Sequence, residues 1–191
     1  MIITYYGEGG FRVQNGELSL LVDAPNNRLK ADVFLRTTVE TNYFPTTPEE
    51  VVFPGEYEVK GIEIIGKSLS GEGTDKQVKT VYLVNWEGIN LVFLGRAGQI
   101  PENQVLEGFD RVDILFVPCG GGEVLSAKDA AYVVKQLEPT ITIPSFYKSA
   151  SELTKALGQN GSTELLDKFV FKAKDLTAQQ GKVLVLKVVG G

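Results

Sequence analysis

No histidine occurs among the 191 residues of this chain. Within the chain, that absence excludes a Ser-His-Asp triad, a Cys-His dyad and any zinc site ligated by imidazole. Acid–base chemistry near neutral pH then falls to a perturbed carboxylate, lysine or tyrosine, or to Cys119. That cysteine stands alone, so no internal disulfide can form, and a reducing cytoplasm is the expected setting. Clustered positive charge is missing as well. The net charge is −5 and the lysines are scattered singly, which argues against nucleic acid or an anionic membrane surface as a partner. No run approaches the roughly 20 apolar residues of a membrane span. The opening MIITYYGEGGF lacks the basic and apolar regions of a signal peptide.

What is present suits a globular protein: 43% hydrophobic and 23% charged residues, in a chain long enough to bury a sizeable core as one domain over 1–191. The first half is rich in short strands. Ile2–Tyr6, Phe11–Gln14 and Leu18–Val22 are separated by glycine turns, and Asn15-Gly16 is a strong hairpin signal. Ala31–Arg36 follows, then a polar loop punctuated by Pro45 and Pro48, then strands at Val51–Phe53, Tyr57–Lys60 and Ile62–Ile65. Val78–Trp86 and Ile89–Leu94 flank a turn at Glu87-Gly88. The second half alternates strand and helix. Val112–Val117 is a continuous apolar run, as in a strand buried on both faces. Ser126–Leu137 is a helix that Ser126 can cap, with Ala130, Val133, Val134 and Leu137 on one apolar face. Ile141–Ile143, a helix at Glu152–Leu157 ended by Gly158, and a strand at Lys182–Val189 complete the pattern. Hairpins first and strand–helix units later predict an α+β fold with sheet layers covered by helices.

Two short motifs match catalytic patterns and fail on context. Gly61-Ile-Glu-Ile-Ile-Gly66-Lys67-Ser68 has the letters of a phosphate-binding loop, yet its interior is β-branched and alternating, and no helix can start after it. Ser145-Phe-Tyr-Lys148 has the S-x-x-K spacing of serine β-lactamases but neither companion segment, and Ser145 follows Pro144 at a strand end. Pro118-Cys119-Gly120-Gly121-Gly122 reads as a tight strand-to-helix turn rather than an anion nest, with Cys119 a small buried residue rather than a nucleophile.

A larger pattern carries more. Pro54-Gly-Glu-Tyr-Glu-Val-Lys-Gly61, the strand end Pro118-x-Gly-Gly-Gly, Ser126-Ala-Lys-Asp-Ala-Ala131, Gln136-Leu-Glu-Pro139 and Ile143-Pro144 occur in one order. With Leu20-Leu-Val-Asp-Ala-Pro25 and Leu94-Gly95, they resemble the metallo-β-lactamase fold superfamily, in its compact bacterial branch of zinc-dependent hydrolases. The resemblance covers most of the chain and implies a four-layered αββα sandwich. In that family the loop after the strand ending at Arg36 resembles T-H-x-H-x-D-H, whose side chains hold a metal pair. Here the segment reads Thr37-Thr38-Val39-Glu40-Thr41-Asn42-Tyr43. Thr38, Glu40 and Tyr43 stand at the histidine positions and Asn42 at the aspartate. Glu8 occupies the place of an early histidine, Arg96 that of a metal-bridging aspartate, and Phe146 that of a late histidine.

These positions imply a vestigial metal site with no metal, no cofactor and no catalytic residue. Losing two cations beside acidic groups leads us to expect Arg96 to pair with Glu40 or Glu8. The functional expectation is a non-catalytic pseudo-hydrolase, acting as a binding or assembly module. A hydrolase with a remodelled site, using a hard divalent cation on Glu8, Asp23, Glu40 and Asn42, is the alternative. A third reading is a small-ligand pocket lined by Tyr43, Tyr57, Phe146 and Tyr147. Partners stay open, self-association included, because no residue specifies one. The fold does not transfer a substrate.

Overall fold

Alternation of apolar and polar residues builds the first strands. In β1 (Ile2–Gly7) Ile3 and Tyr5 are buried while their neighbours are half-exposed, and β2 (Gly10–Asn15) repeats the pattern through Phe11 and Val13. β3 (Leu18–Val22), β4 (Val33–Leu35) and β6 (Glu50–Val51) follow in the same sheet. The computed structural model describes residues 1–26, 28–149, 151–159, 165–176 and 181–189. Its first sheet has the order β14-β1-β2-β3-β4-β6, with β14 (Phe169–Val170) returning late in the chain to pair with Ile2 and Ile3.

The second sheet begins with hairpins, β7 (Gly55–Val59), β8 (Ile62–Ser68), β9 (Gln77–Trp86) and β10 (Ile89–Phe93), all antiparallel. It continues as parallel strands β11 (Ile114–Pro118), β12 (Ile141–Ser145) and β15 (Lys182–Val183). All five residues of β11 and of β12 are buried, as parallel strands covered on both faces require; β11 is apolar throughout, while β12 also buries Thr142 and Ser145. The parallel β11–β12 pair needs a crossover, which α2 (Ala127–Leu137) supplies. Ser126 caps α2 by accepting from the Asp129 amide, as the sequence indicates.

Two apolar clusters hold the layers together. One lies between the sheets and includes Ile3, Phe11, Leu20, Leu35, Ile64, Tyr82, Phe93 and Phe116. The other joins the outer face of the second sheet to α1 (Asn103–Leu106), α2 and α3 (Glu152–Ala156) through Val92, Leu115, Val117, Val105, Ala130, Val133 and Leu153. Each fully buried large side chain contributes about 1.5–3 kcal/mol of hydrophobic stabilisation. The architecture is the expected α+β sandwich of packed sheets with helices outside. A ladder of rings, Phe93 to Phe116 at 4.2 Å, Phe116 to Phe11 at 4.6 Å and Phe11 to Tyr5 at 4.6 Å, crosses the inter-sheet core towards one end.

Several boundaries depart from expectation for physical reasons. Thr38–Glu40, expected as loop because it is polar, is a short strand (β5) that pairs with Lys79, Val78 and Gln77 of β9. Only Val39 of that strand is buried, so the residue alternation is too brief to read. The segment 182–189 is not one strand. It breaks into β15 and β16 (Val185–Leu186), and β16 leaves the large sheet to pair with β13 (Leu165–Leu166). The phosphate-loop look-alike is β8 itself. Its Gly66 answers to packing, since a Cβ there would lie 2.9 Å from the Tyr82 ring and 3.0 Å from the Phe53 carbonyl oxygen.

Candidate functional site

The end of the sandwich towards which the ring ladder runs gathers the β1–β2 turn, the ends of β3 and β4, the start of β5, the 95–99 loop and the residue after β12. Each contributes a polar or aromatic side chain to one cleft. Glu8, Asp23, Ala24, Pro25, Arg36, Thr38 and Arg96 line a cavity of about 250 Å³. Glu8, Thr38 and Arg96, expected together from the sequence, do meet there.

Asp23 forms the floor. Its carboxylate accepts from the Thr37 amide at 2.8 Å and from Thr37 Oγ1 at 2.5 Å. Burial pushes its carboxyl above the ordinary range, against the opposing pull of those two hydrogen bonds and of Arg36 and Arg96. Thr37 is locked from the other side by Gly95 (φ +57°), where an added Cβ would fall 2.2 Å from Thr37 Oγ1. Thr38 Oγ1 is buried and has no hydrogen-bond partner among the described residues.

Arg96 projects from a loop that is pinned beneath it. Its carbonyl accepts from Lys79 Nζ at 2.9 Å, and the amides of Gly98 and Gln99 donate to the Glu72 carboxylate at 2.6 and 2.9 Å. Lys79 closes the set with a 2.8 Å ion pair to Glu72. The Arg96 guanidinium lies over the Phe146 ring, 4.8 Å from its centroid. The expected pairing of Arg96 with Glu40 or Glu8 is not formed. Its one ion-pair contact among the described residues is with Glu123, at 3.9 Å. The reason is local. Pairing of β5 with β9 carries Glu40 opposite Gln77, two residues, about 7 Å of strand, beyond Thr38. Stacking on Phe146 holds the guanidinium, and Glu8 sits exposed on the β1–β2 turn with φ 47°.

Phe146 is the most constrained residue here. It adopts φ 54°, unfavourable for a side chain with a Cβ, directly after β12. Its amide donates to Tyr5 Oη at 3.1 Å, tying it to the ring ladder. Its backbone oxygen packs so closely on Gly120 that a Cβ there would come within 1.9 Å. Its ring edge lies against Gly9, where a Cβ would be 2.8 Å from Phe146 Cε2 and 3.8 Å from Asp23 Oδ2. The ring, the Asp23 carboxylate and the Arg96 guanidinium therefore converge on one spot.

The remaining sequence candidates separate from it. Glu40 and Asn42 are exposed beyond the cleft. Tyr43 turns to Glu50, donating to Oε1 at 2.8 Å. Glu50, which no sequence signal marks, is the most heavily bonded carboxylate in the region. It also accepts from Arg36 Nε at 2.5 Å, from the Thr46 amide at 2.8 Å and from Thr46 Oγ1 at 3.0 Å. Burial opposes its charge, but the Thr46 amide, Arg36 and Tyr43 together hold it down at about 2. Nothing in the spacing between Arg36 and Glu50 signals this pair, because parallel pairing of β4 with β6 creates it. The proposed aromatic pocket is not assembled. Tyr57 donates to the Phe53 carbonyl and Tyr147 to the Leu186 carbonyl, so neither lines the cleft with Phe146. Cys119 is buried, bonded to the Ser145 carbonyl oxygen at 3.7 Å, and burial raises its thiol to about 12. Ser145 is buried at the end of β12.

Comparisons with known proteins agree with this architecture. Residues 2–145 match the model of a beta-lactamase superfamily domain. A metal-dependent hydrolase from Carboxydothermus hydrogenoformans is 28% identical over 107 residues, which cover 55% of this chain and 47% of that protein. Another, from Natranaerobius thermophilus, is 23% identical over 82 residues, covering 43% and 37%. The match thus spans less than half the length of these curated relatives. A protein of the metallo-beta-lactamase superfamily from Thermotoga maritima superposes with a TM-score of 0.75 at 23% identity, over 97% of both chains. The metallo-beta-lactamase fold protein YhfI from Bacillus subtilis gives 0.66 at 10% identity, over 100% of this chain and 97% of its own. At such identities the solved structures speak to the fold alone.

Proposed function

The chain belongs to the beta-lactamase superfamily, and from that premise we propose that it is a non-catalytic member, a pseudo-hydrolase that keeps the scaffold as a binding or assembly module. The observation that carries this reading is the stacked pair of Arg96 and Phe146 beside Asp23. A permanent cation and a hydrocarbon ring stand where the family resemblance puts metal ligands, and neither donates electrons to a metal.

The donors that remain do not fit a metal pair. Asp23 has both oxygens engaged by Thr37, and Glu50 is saturated by Arg36, Tyr43 and Thr46. Glu40 and Asn42 stand outside the cleft. No imidazole exists in the chain to complete a zinc sphere or to act as a base near neutral pH. We therefore assign no metal-dependent step to Glu8, Thr38, Glu40, Asn42, Tyr43, Arg96 or Phe146. What the residues do instead is structural and electrostatic: Arg96 supplies positive charge near Asp23, and Tyr43 helps fix the Arg36–Glu50 pair.

The competing reading is a hydrolase using a hard divalent cation on Glu8 and Asp23, which do line the same cleft. Assays against phosphoester, ester and lactam substrates, each with magnesium, calcium, manganese or zinc, separate the two. The pseudo-hydrolase gives rates equal to buffer in every combination. Metal-dependent turnover that Glu8→Gln abolishes would establish the competing reading instead.

A further inference from the structure

We propose that the cleft between Arg96 and Thr38 binds a small oxyanion, a carboxylate or a phosphate group, in the region where the family resemblance places metal ligands. This deepens the non-catalytic reading and rests on it. Two residues that line one cavity, Arg96 and Thr38, carry hydrogen-bond donors left without a partner among the described residues. The Arg96 guanidinium makes no hydrogen bond among the described residues. Its neighbours are the Phe146 ring at 4.8 Å and the carboxylate of Glu123 at 3.9 Å, the latter on a side chain 91% exposed and therefore readily displaced. Thr38 Oγ1 is buried with no partner among the described residues, an arrangement that costs free energy unless something supplies the missing bond.

The cleft is also preorganised for an anion. The Phe146 ring lies 4.8 Å from the Arg96 guanidinium, and Lys79 and Glu72 pin the loop that carries it. A planar guanidinium with free donors matches a carboxylate or phosphate edge in a way that a mobile lysine does not. Arg36 lines the same cavity and adds positive potential, although its Nε is committed to Glu50. On the floor, the carboxyl of Asp23 is already turned to Thr37. At about 250 Å³ the space is smaller than the roughly 300–1,000 Å³ that hold drug-sized ligands, so the ligand class is small. Glu8 on the rim is the one exposed opposing charge in the lining, and it works against the anion.

Calorimetric titration of untagged, chelator-treated protein with inorganic phosphate, and separately with acetate, at constant ionic strength tests this. Saturable 1:1 binding of either anion is expected, about tenfold weaker in Arg96→Gln and weaker again when Thr38→Val is added. Glu8→Gln should tighten it. The stronger of the two anions identifies the ligand as phosphoryl or carboxylate. No saturable heat with either, or equal binding by wild type and Arg96→Gln, overturns the proposal. If Arg96→Gln fails to fold, the near-isosteric Thr38→Val variant alone gives the same readout. A parallel titration with zinc keeps the two readings apart. Silence towards both zinc and anions sinks only the anion site, whereas stoichiometric zinc binding sinks the non-catalytic reading itself.

Discussion

Replacing Glu50 by glutamine should convert an acid-sensitive protein into one less sensitive to acid over a defined window. Glu50 is held at about 2, against 4.5 for the free side chain, because burial is outweighed by the Thr46 amide, Arg36 and Tyr43. A carboxylate whose folded value is depressed contributes stability above its unfolded value and loses it as the pH falls through the folded one. The difference corresponds to about 3 kcal/mol at neutral pH. Solvent screening takes little from this, since the Glu50 side chain is 3% exposed. Wild type should therefore lose about 3 kcal/mol between pH 4.5 and pH 2 from this group, and Glu50→Gln should not. At pH 7 the variant should be less stable by the same amount, and the two should converge near pH 2. Asp23, which burial pushes up, acts in the opposite sense, but it is common to both proteins and cancels in the difference. Urea unfolding followed by fluorescence of Trp86, the single tryptophan and a buried one, reads the quantity directly. Parallel pH profiles for wild type and Glu50→Gln would refute the reasoning, because they would mean the Arg36–Glu50–Tyr43 cluster contributes no net charge stabilisation.

Two further outcomes follow from the same geometry. Gly95→Ala places a methyl against Thr37 in a left-handed backbone, so it should destabilise by about 2 kcal/mol or more and lower the melting temperature, whereas Gly61→Ala, with open space around it, should cost only the backbone strain of about 1 kcal/mol. Cys119, buried and raised to about 12, should resist a thiol-specific disulfide reagent in the native protein at pH 8 and react at once in denaturant. Rapid modification of native protein would contradict its placement.

The order of the hairpins, the buried run of β11 and the capped helix α2 were legible because each is local: a turn signal, an apolar run and a Ser-x-x-Asp start announce them. The α+β sandwich and the superfamily were legible from motifs in sequence order. What was not legible depends on pairing between distant segments. Thr38–Glu40 becomes strand only because β9 offers an edge. Glu50 meets Arg36 only because β4 and β6 run side by side. The choice of Phe146 over Glu8 or Glu40 as the partner of Arg96 was hidden for a related reason. Sequence positions marked which charges were near the cleft but not the left-handed backbone at Phe146, and that backbone aims the ring. Glu8, Thr38 and Arg96 line one cleft through the pairing of distant segments, and nothing in their spacing suggests it.

The most direct test of the central claim is the metal content of untagged protein, purified without chelators and measured by mass spectrometry. A polyhistidine tag would import the ligands this chain lacks. The account predicts less than ~0.1 equivalent of any divalent metal per chain. Near-stoichiometric zinc, manganese, magnesium or calcium, lost on Glu8→Gln or Asp23→Asn substitution, would contradict it and return this cleft to the metal-dependent hydrolases.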